Sequence, residues 1–445
     1  KRGLGEFPQP SMSLFQHILK LQGYPLENAR RQLQQLEGME PNALLQWQEQ
    51  QKWAIFRFHF DNTAWYRQKA GGQPADWASI PILQKKDYQA PLPQLLSAGT
   101  EPKKVYIGNT SGSSGHPFFY AKDKYCHALT WMKVEQLYEQ HGIGLDALQA
   151  RFYGIPLDWK GWAFEQVKDY LSSRRRFPVF DLSPGVLDSW VKRFRRQAFD
   201  YLYGYTSSMA YFARYLLDKG IVLKRLCPSL KVCIVTSELC TPEDRQVLQQ
   251  GFGIPAVNEY GASELSIIAF ENPAGAWALS DSLIFLEAVD NDGRPLPYGQ
   301  AGRLLCTALF NRAMPLIRYE IGDVGRIGLK DGRHVLLELL GRTNDFVRLP
   351  SGRVAPGLAF YYISRSLLEK AGFINEFIIQ QTEPDKMVFI IDAKRPVTKA
   401  EADMIQQSMD QYLEPGLRLE IRETNAIERP ASGKIKHFYS LLDKV

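Results

Sequence analysis

Between residues 12 and 70, Leu44, Trp47, Trp53, Phe56, Phe58 and Phe60 stand among Gln, Glu and Arg in a pattern that predicts helices with an aromatic core stripe. Ile80-Pro81-Ile82-Leu83 reads as a connector. Val105-Tyr106-Ile107 and His116 to Tyr120 are short apolar strands on either side of Thr110-Ser111-Gly112-Ser113-Ser114-Gly115. Ser207 or Ser208 is a candidate cap for a helix carrying Met209, Phe212, Ala213 and Leu216, closed by Gly220. Leu230 to Val235 is a continuous apolar strand. Thr241, Pro242, Glu243 and Asp244 open the next helix, and Gly251 ends it. Pro255-Ala256-Val257 follows as a strand. Strand, helix, strand predicts a parallel sheet with right-handed crossovers, whose ligands bind beyond the carboxyl ends of the strands. From 283 to 340 the period changes to alternation with hairpin turns such as Asp290-Asn291-Asp292-Gly293, the mark of a small antiparallel barrel or sheet. Beyond Arg342, strands near Phe377, Val388 and Leu419 surround a helix with a Thr398/Glu401 capping box, a compact α+β unit.

These elements predict an α/β protein. Its large N-terminal domain, 12–341, has parallel β/α sheets and a small β-barrel-like part. Its C-terminal domain, 342–445, is a small mobile α+β unit. Residues 1–11 are set aside from the fold reasoning. The chain of 445 residues is 45% hydrophobic and 23% charged, ordinary for a globular protein with a large core. A net charge of +6 is too mild to imply nucleic acid; Arg174-Arg175-Arg176 and Lys192 to Arg196 read as solvated faces. The five cysteines, Cys126, Cys227, Cys233, Cys240 and Cys306, have no zinc spacing, and Cys233 lies within an apolar strand. Reduced thiols, no signal peptide and no apolar run near ~20 residues predict a cytoplasmic protein without a membrane span. The oligomeric state is open, with a homodimer as one option.

The 110–115 stretch has the make-up of an anion nest: two glycines permit a tight path, and hydroxyls and backbone N–H groups turn inward. It lacks the Gly-Lys-Ser/Thr of a Walker loop. Alone it is equally a flexible linker. Four more polar segments follow it: Tyr260-Gly261-Ala262-Ser263-Glu264, Tyr319-Glu320-Ile321-Gly322-Asp323, Gly341-Arg342-Thr343-Asn344-Asp345 and Pro430-Ala431-Ser432-Gly433-Lys434. Each has an ordinary reading. Glu264 suits a helix start, Asp323 a turn, Arg342 a surface ion pair, and Ser432 to Lys434 a solvated tail.

In this order the five segments resemble the adenylate-forming superfamily of acyl-CoA synthetases and adenylation domains, in particular its phenylacetate-CoA ligase-like branch with the capsule-locus (CapK) proteins. Trp47 to Tyr66, Gly204-Tyr205-Thr206-Ser207-Ser208 and Asn311 to Asp323 are similar to that branch. The resemblance runs from about residue 40 onward. It implies activation of a carboxylic acid by ATP and Mg²⁺ to an acyl adenylate with release of pyrophosphate, then transfer to coenzyme A. An amine, a hydroxyl or a protein thiol is the alternative acceptor, and a catalytically idle nucleotide-binding protein the alternative class.

The resemblance also implies the roles. Thr110, Ser111, Gly112, Ser113, Ser114 and Gly115 hold the β- and γ-phosphates. Glu264 binds Mg²⁺ and Ser263 contacts the α-phosphate. Tyr260 packs beside adenine, with Ser237, Glu238, Glu259 and Gly261 in the adenine-side segments. Asp323 accepts from both ribose hydroxyls and Arg342 supports that sugar. Lys434, ahead of its competitor Lys436, bridges the substrate carboxylate and the α-phosphate. The family pattern is broken twice: Ser237 stands where glycine is usual, and Asn344 where the hinge is commonly Asp. The acyl pocket draws on parts of 153–165 and 203–212, rich in Tyr, Phe and Trp, which points to an aryl or apolar acid.

Overall fold

The structure is a computed structural model, and it describes residues 13–109, 119–153, 159–179, 182–342, 346–352, 354–356, 374–424, 427 and 438–442. The helical opening consists of α1 (Leu14–Leu21), α2 (Leu26–Glu37), α3 (Pro41–Asn62) and α4 (Ala64–Ala70). The aromatic stripe of α3 packs against the antiparallel side of the molecule, with Phe56 in the main core. The same helix buries Gln48, Lys52 and His59. The Lys52 ammonium lies over the rings of Trp77 and Phe285, 4.7 and 4.2 Å from their centroids, a favourable setting for a buried cation.

β1 (Leu83–Gln84), α5 (Leu92–Leu95) and the hairpin of β2 (Tyr106–Asn109) and β3 (Phe119–Lys122) come next. Then α6 (Lys124–Glu139), β4 (Gln149–Tyr153), α7 (Trp159–Leu171), β5 (Arg174–Pro178), α8 (Pro184–Arg196), β6 (Tyr201–Tyr205), α9 (Thr206–Asp218), α10 (Leu223–Leu226), β7 (Val232–Thr236), α11 (Pro242–Phe252) and β8 (Ala256–Ala262) alternate along the chain. Strands β5-β4-β6-β7-β8 lie side by side, all parallel. Helices α8, α9 and α11 cover one face, and α6 packs on the other. Burial on both faces explains the uninterrupted apolar run of β7.

At β8 the sheet changes character. β9 (Ser266–Glu271), β10 (Trp277–Leu279), β11 (Ile284–Val289), β12 (Ala301–Ala308), β13 (Tyr319–Lys330) and β14 (Arg333–Arg342) are antiparallel. The hairpin region read as barrel-like joins the parallel strands through β10 and β9. Among the described residues one twelve-stranded sheet results, in the order β11-β12-β13-β14-β10-β9-β8-β7-β6-β4-β5, with β1 parallel to β13. A separate core, including Val347, Ile379, Phe389, Ile405, Met409 and Phe438, belongs to the last elements. These are β15 (Phe346–Arg348), β16 (Val354–Pro356), β17 (Ile374–Glu383), β18 (Lys386–Ala393), α12 (Lys399–Tyr412), β19 (Arg418–Thr424) and β20 (Phe438–Ser440). The last four strands pair in the order β19-β18-β17-β20.

Two local expectations are corrected. Neither Ser207 nor Ser208 caps α9, because the helix starts at Thr206 with Tyr205 as its N-cap. Helix α11 runs past Gly251 to Phe252, where Gly253 at φ 70° provides the left-handed stop. Gly251 instead lets α11 approach α9: a Cβ there would lie 2.7 Å from the Ala213 carbonyl oxygen. β3 begins at Phe119, and residues 116–118 lie outside the described residues.

Candidate active site

The turn between β8 and β9 presents Ser263 and Glu264. Its register shifts between Tyr260 and Gly261. A Cβ on Gly261 would lie 2.4 Å from the carbonyl oxygen of Ser266, so only glycine fits this approach. Glu264 is buried. Its Oε1 accepts a hydrogen bond of 2.8 Å from the Tyr319 hydroxyl. Its Oε2 has no hydrogen-bond partner among the described residues. One oxygen is therefore fixed by Tyr319. No group of three His, Cys, Asp or Glu side chains able to hold a metal occurs among the described residues. A magnesium ion fits here as a Glu264 ligand that takes its other oxygens from phosphate and water.

Strand β13 carries both Tyr319 and Asp323. Asp323 sits within this strand and not in a free turn, and Gly322 before it takes φ 88°. Asp323 lies opposite Arg342 in the β13/β14 register. Asp323 Oδ2 accepts from the Tyr260 hydroxyl at 2.8 Å. Tyr260 is itself buried and meets the Trp277 ring edge-on at 6.2 Å. Tyr260, Asp323 and the Arg342 backbone position thus come together from segments far apart in sequence.

Ser237 and Glu238 follow the carboxyl end of β7. Ser237 has φ 70°, the left-handed region that glycine occupies without cost. Here a serine bears a conformation that glycine adopts more readily. Glu238 turns toward α9: its Oε2 accepts from the Ser207 backbone N–H at 2.8 Å. A carboxylate at a helix N-terminus satisfies a free donor and opposes the helix dipole. Glu259, near the end of β8, is clamped by the hydroxyls of Tyr203 and Tyr138 at 2.7 and 2.8 Å, one on each oxygen. Burial pushes its carboxyl pKa up, against the lowering effect of those hydrogen bonds. The Arg151 guanidinium lies over the rings of Tyr153 and Tyr203, 4.2 and 5.0 Å from their centroids. Tyr153, Tyr205 and Arg151 form a polar-aromatic wall at the same end of the parallel strands.

Thr110 to Gly115, Asn344 and Lys434 lie outside the described residues, as does the Arg342 side chain. The 110–118 segment joins β2 and β3, which pair antiparallel from Tyr106↔Lys122 to Asn109↔Phe119. The five cysteines are free thiols. No described helix is long and apolar enough to cross a membrane. Tyr138 and Lys122, which hold or adjoin the acidic residues, carried no mark in the sequence, and Tyr319 and Tyr203 stood within marked segments without a role of their own. An isolated tyrosine on a buried helix face, such as Tyr138 on α6, looks like core.

No family model matches the chain. Over 345 residues, 72% of this chain and 75% of the relative, it is 26% identical to a phenylacetate-coenzyme A ligase from Thermus thermophilus. Over 280 residues, 60% of this chain and 59% of the relative, it is 22% identical to protein CapK of Staphylococcus aureus. Its fold is similar to the crystal structure of 2-hydroxyisobutyryl-CoA ligase in the postadenylation state in complex with R3-HIB-AMP. The TM-score is 0.69 at 17% identity, covering 88% of this chain and 89% of that one. The sheet, the residues gathered at its strand ends and these likenesses agree: the chain is similar in sequence to phenylacetate-coenzyme A ligases and CapK and shares the fold of an acyl-CoA ligase.

Proposed function

We propose that the protein activates a carboxylic acid with ATP to an acyl adenylate and pyrophosphate, then transfers the acyl group to the thiol of coenzyme A. The observation that carries this reading is the meeting of Tyr260 on β8, Glu264 in the β8–β9 turn and Tyr319 and Asp323 on β13 through side-chain hydrogen bonds, with Asp323 opposite Arg342. A carboxylate oxygen of the acid attacks the α-phosphorus, and the bond to pyrophosphate breaks. Two negatively charged groups must approach, so the site has to supply positive charge and fixed geometry.

In this reading Asp323 accepts from the ribose hydroxyls, and Tyr260 holds its carboxylate while packing beside adenine. Arg342 supports the ribose from across the strand pair. Ser263 contacts the α-phosphate, and the 110–115 loop holds the outer phosphates. Magnesium bound through Glu264 would neutralise phosphate charge. Lys434 bridges the acid and the α-phosphate. The unit 342–445 then turns about Asn344, the coenzyme A thiol attacks the acyl carbonyl, and AMP leaves. Tyr153, Tyr203 and Tyr205 support an aryl or apolar acid. A cytoplasmic setting suits the five free thiols.

The test is a panel of aryl, aliphatic and hydroxy acids in a pyrophosphate-release assay with ATP and Mg²⁺, followed by mass analysis of products with coenzyme A. Acid-dependent pyrophosphate and an acyl-CoA are expected for at least one acid. Pyrophosphate without thioester, but with amide when amines are supplied, would move the acceptor. A chain that binds ATP yet releases no pyrophosphate with any acid would overturn the reading.

A further inference from the structure

Lys122 ends β3, the strand that leaves the 110–118 segment. Its side chain is only 4% exposed. Of its three N–H donors, one reaches the Ser263 carbonyl oxygen at a long 3.5 Å, and no other hydrogen bond is made among the described residues. The ammonium lies 5.6 Å from the centroid of the Tyr120 ring. Groups that could have served as its counter-ion are engaged elsewhere or neutral. The neighbouring Asp123 accepts from the backbone N–H groups of Cys126 and Arg312. Burial pushes the Cys126 thiol up to about 12, which keeps it uncharged. Glu264 is the remaining acid that acts on Lys122, through space and not as a direct ion pair.

A buried ammonium with one long hydrogen bond costs stability. An apolar side chain of similar length would suit the packing better. The cost is explained if the charge serves a ligand. Among the described residues, one turn leaves donors on Lys122 and an oxygen on Glu264 without partners. Those two demands are met together by a polyphosphate that carries a divalent cation. We propose that Lys122 is an anion-binding residue of this site, counter-ion to Glu264 when no ligand is bound and an electrostatic partner of the polyphosphate when a divalent cation occupies Glu264. The inference rests on the nucleotide reading given above.

The charge predicts opposite effects on the two ligand types, which a purely structural role cannot produce. The full chain with Lys122→Met and Lys122→Arg would be titrated with pyrophosphate by calorimetry and with Mn²⁺ by electron paramagnetic resonance. Lys122→Met is expected to weaken pyrophosphate binding about 10-fold, to leave Mn²⁺ binding unchanged or tighter, and to melt no lower than wild type. Lys122→Arg should keep pyrophosphate binding within about 3-fold of wild type, because the charge is retained. If Lys122→Met fails to fold, Lys122→Gln takes its place. Wild-type pyrophosphate affinity in a neutral variant would overturn the inference. So would equal weakening of pyrophosphate and Mn²⁺ with a lower melting temperature, since that marks a support for the turn. Wild-type protein that binds neither ATP nor pyrophosphate would instead overturn the nucleotide site itself.

Discussion

Two buried histidines make this fold sensitive to mild acid. His59 on α3 is fully buried, with Nε2 2.7 Å from the Asn311 carbonyl oxygen and Nδ1 3.1 Å from the Thr63 hydroxyl. A carbonyl only accepts, so Nε2 carries a proton, and burial keeps the ring neutral. His127 on α6 stacks on Tyr106 at 4.1 Å and accepts from Trp131 Nε1–H at 3.0 Å through its Nε2. Its Nδ1 has no partner among the described residues. Burial pushes His59 down to about 4 and His127 down to about 3. The unfolded chain protonates both near pH 6.5. Between those values the unfolded state holds more protons, so stability falls as the pH falls.

From pH 7.5 to 5 the loss is about 2 kcal/mol for each histidine, or about 4 kcal/mol together. With about 2 cal/mol/K of unfolding entropy per residue over roughly 330 residues, that is about 6 °C in melting temperature. Glu259 and Glu287 work in the other direction, because burial raises their carboxyls and the folded state then takes up protons first. Comparison of variants separates the two effects. His59→Gln keeps a donor for Asn311, and His127→Phe keeps a ring on Tyr106. Calorimetric melting at pH 7.5 and 5 should show an acid drop smaller than wild type by about 2 kcal/mol, or about 3 °C, in each variant. A wild-type drop retained in full by both variants would refute the assignment.

Two further outcomes test the site. Tyr319→Phe removes a hydrogen bond to the buried Glu264 carboxylate, worth about 1.5–3 kcal/mol for a charged acceptor. The half-saturating Mg²⁺ for pyrophosphate release should rise at least about 10-fold, and an unchanged Mg²⁺ titration would detach Tyr319 from that role. Ser237→Gly removes a left-handed cost of about 1 kcal/mol but frees the unfolded chain by a similar amount, so its melting temperature should stay near wild type. Ser237→Val, with a branched side chain at φ 70°, should melt several degrees lower; equal melting of the two would show that the backbone here is not constrained.

Local signals in the chain were legible because their physics is local. The capping boxes Thr241/Asp244 and Thr398/Glu401 form within a single turn of helix. The continuous apolar run of β7 marked a strand buried on both faces. The start of α9 was misread because its N-terminal donor at Ser207 is satisfied by Glu238, 31 residues later. A hydroxyl near a helix start is a good indicator only where no distant carboxylate reaches the same N–H.

The same distinction separates the site's chemistry from its support. Asp323, Glu264 and Tyr260 stand in motifs, so their types and order are visible along the chain. What makes them a site is pairing across the sheet. Tyr260 and Asp323 are 63 residues apart and Tyr319 and Glu264 are 55 apart, yet each pair is joined at 2.8 Å. The change from parallel to antiparallel pairing at β8 is the step that allows this. β8 ends its parallel pairing with β7 and turns back as β9, so the β8–β9 turn faces the ends of the parallel strands. β13 belongs to the antiparallel half, and its first residue, Tyr319, reaches that same turn. A motif at either place alone would be an acid in a turn or in a strand. Their junction at one change of strand direction brings acids and hydroxyls from distant segments into one cluster.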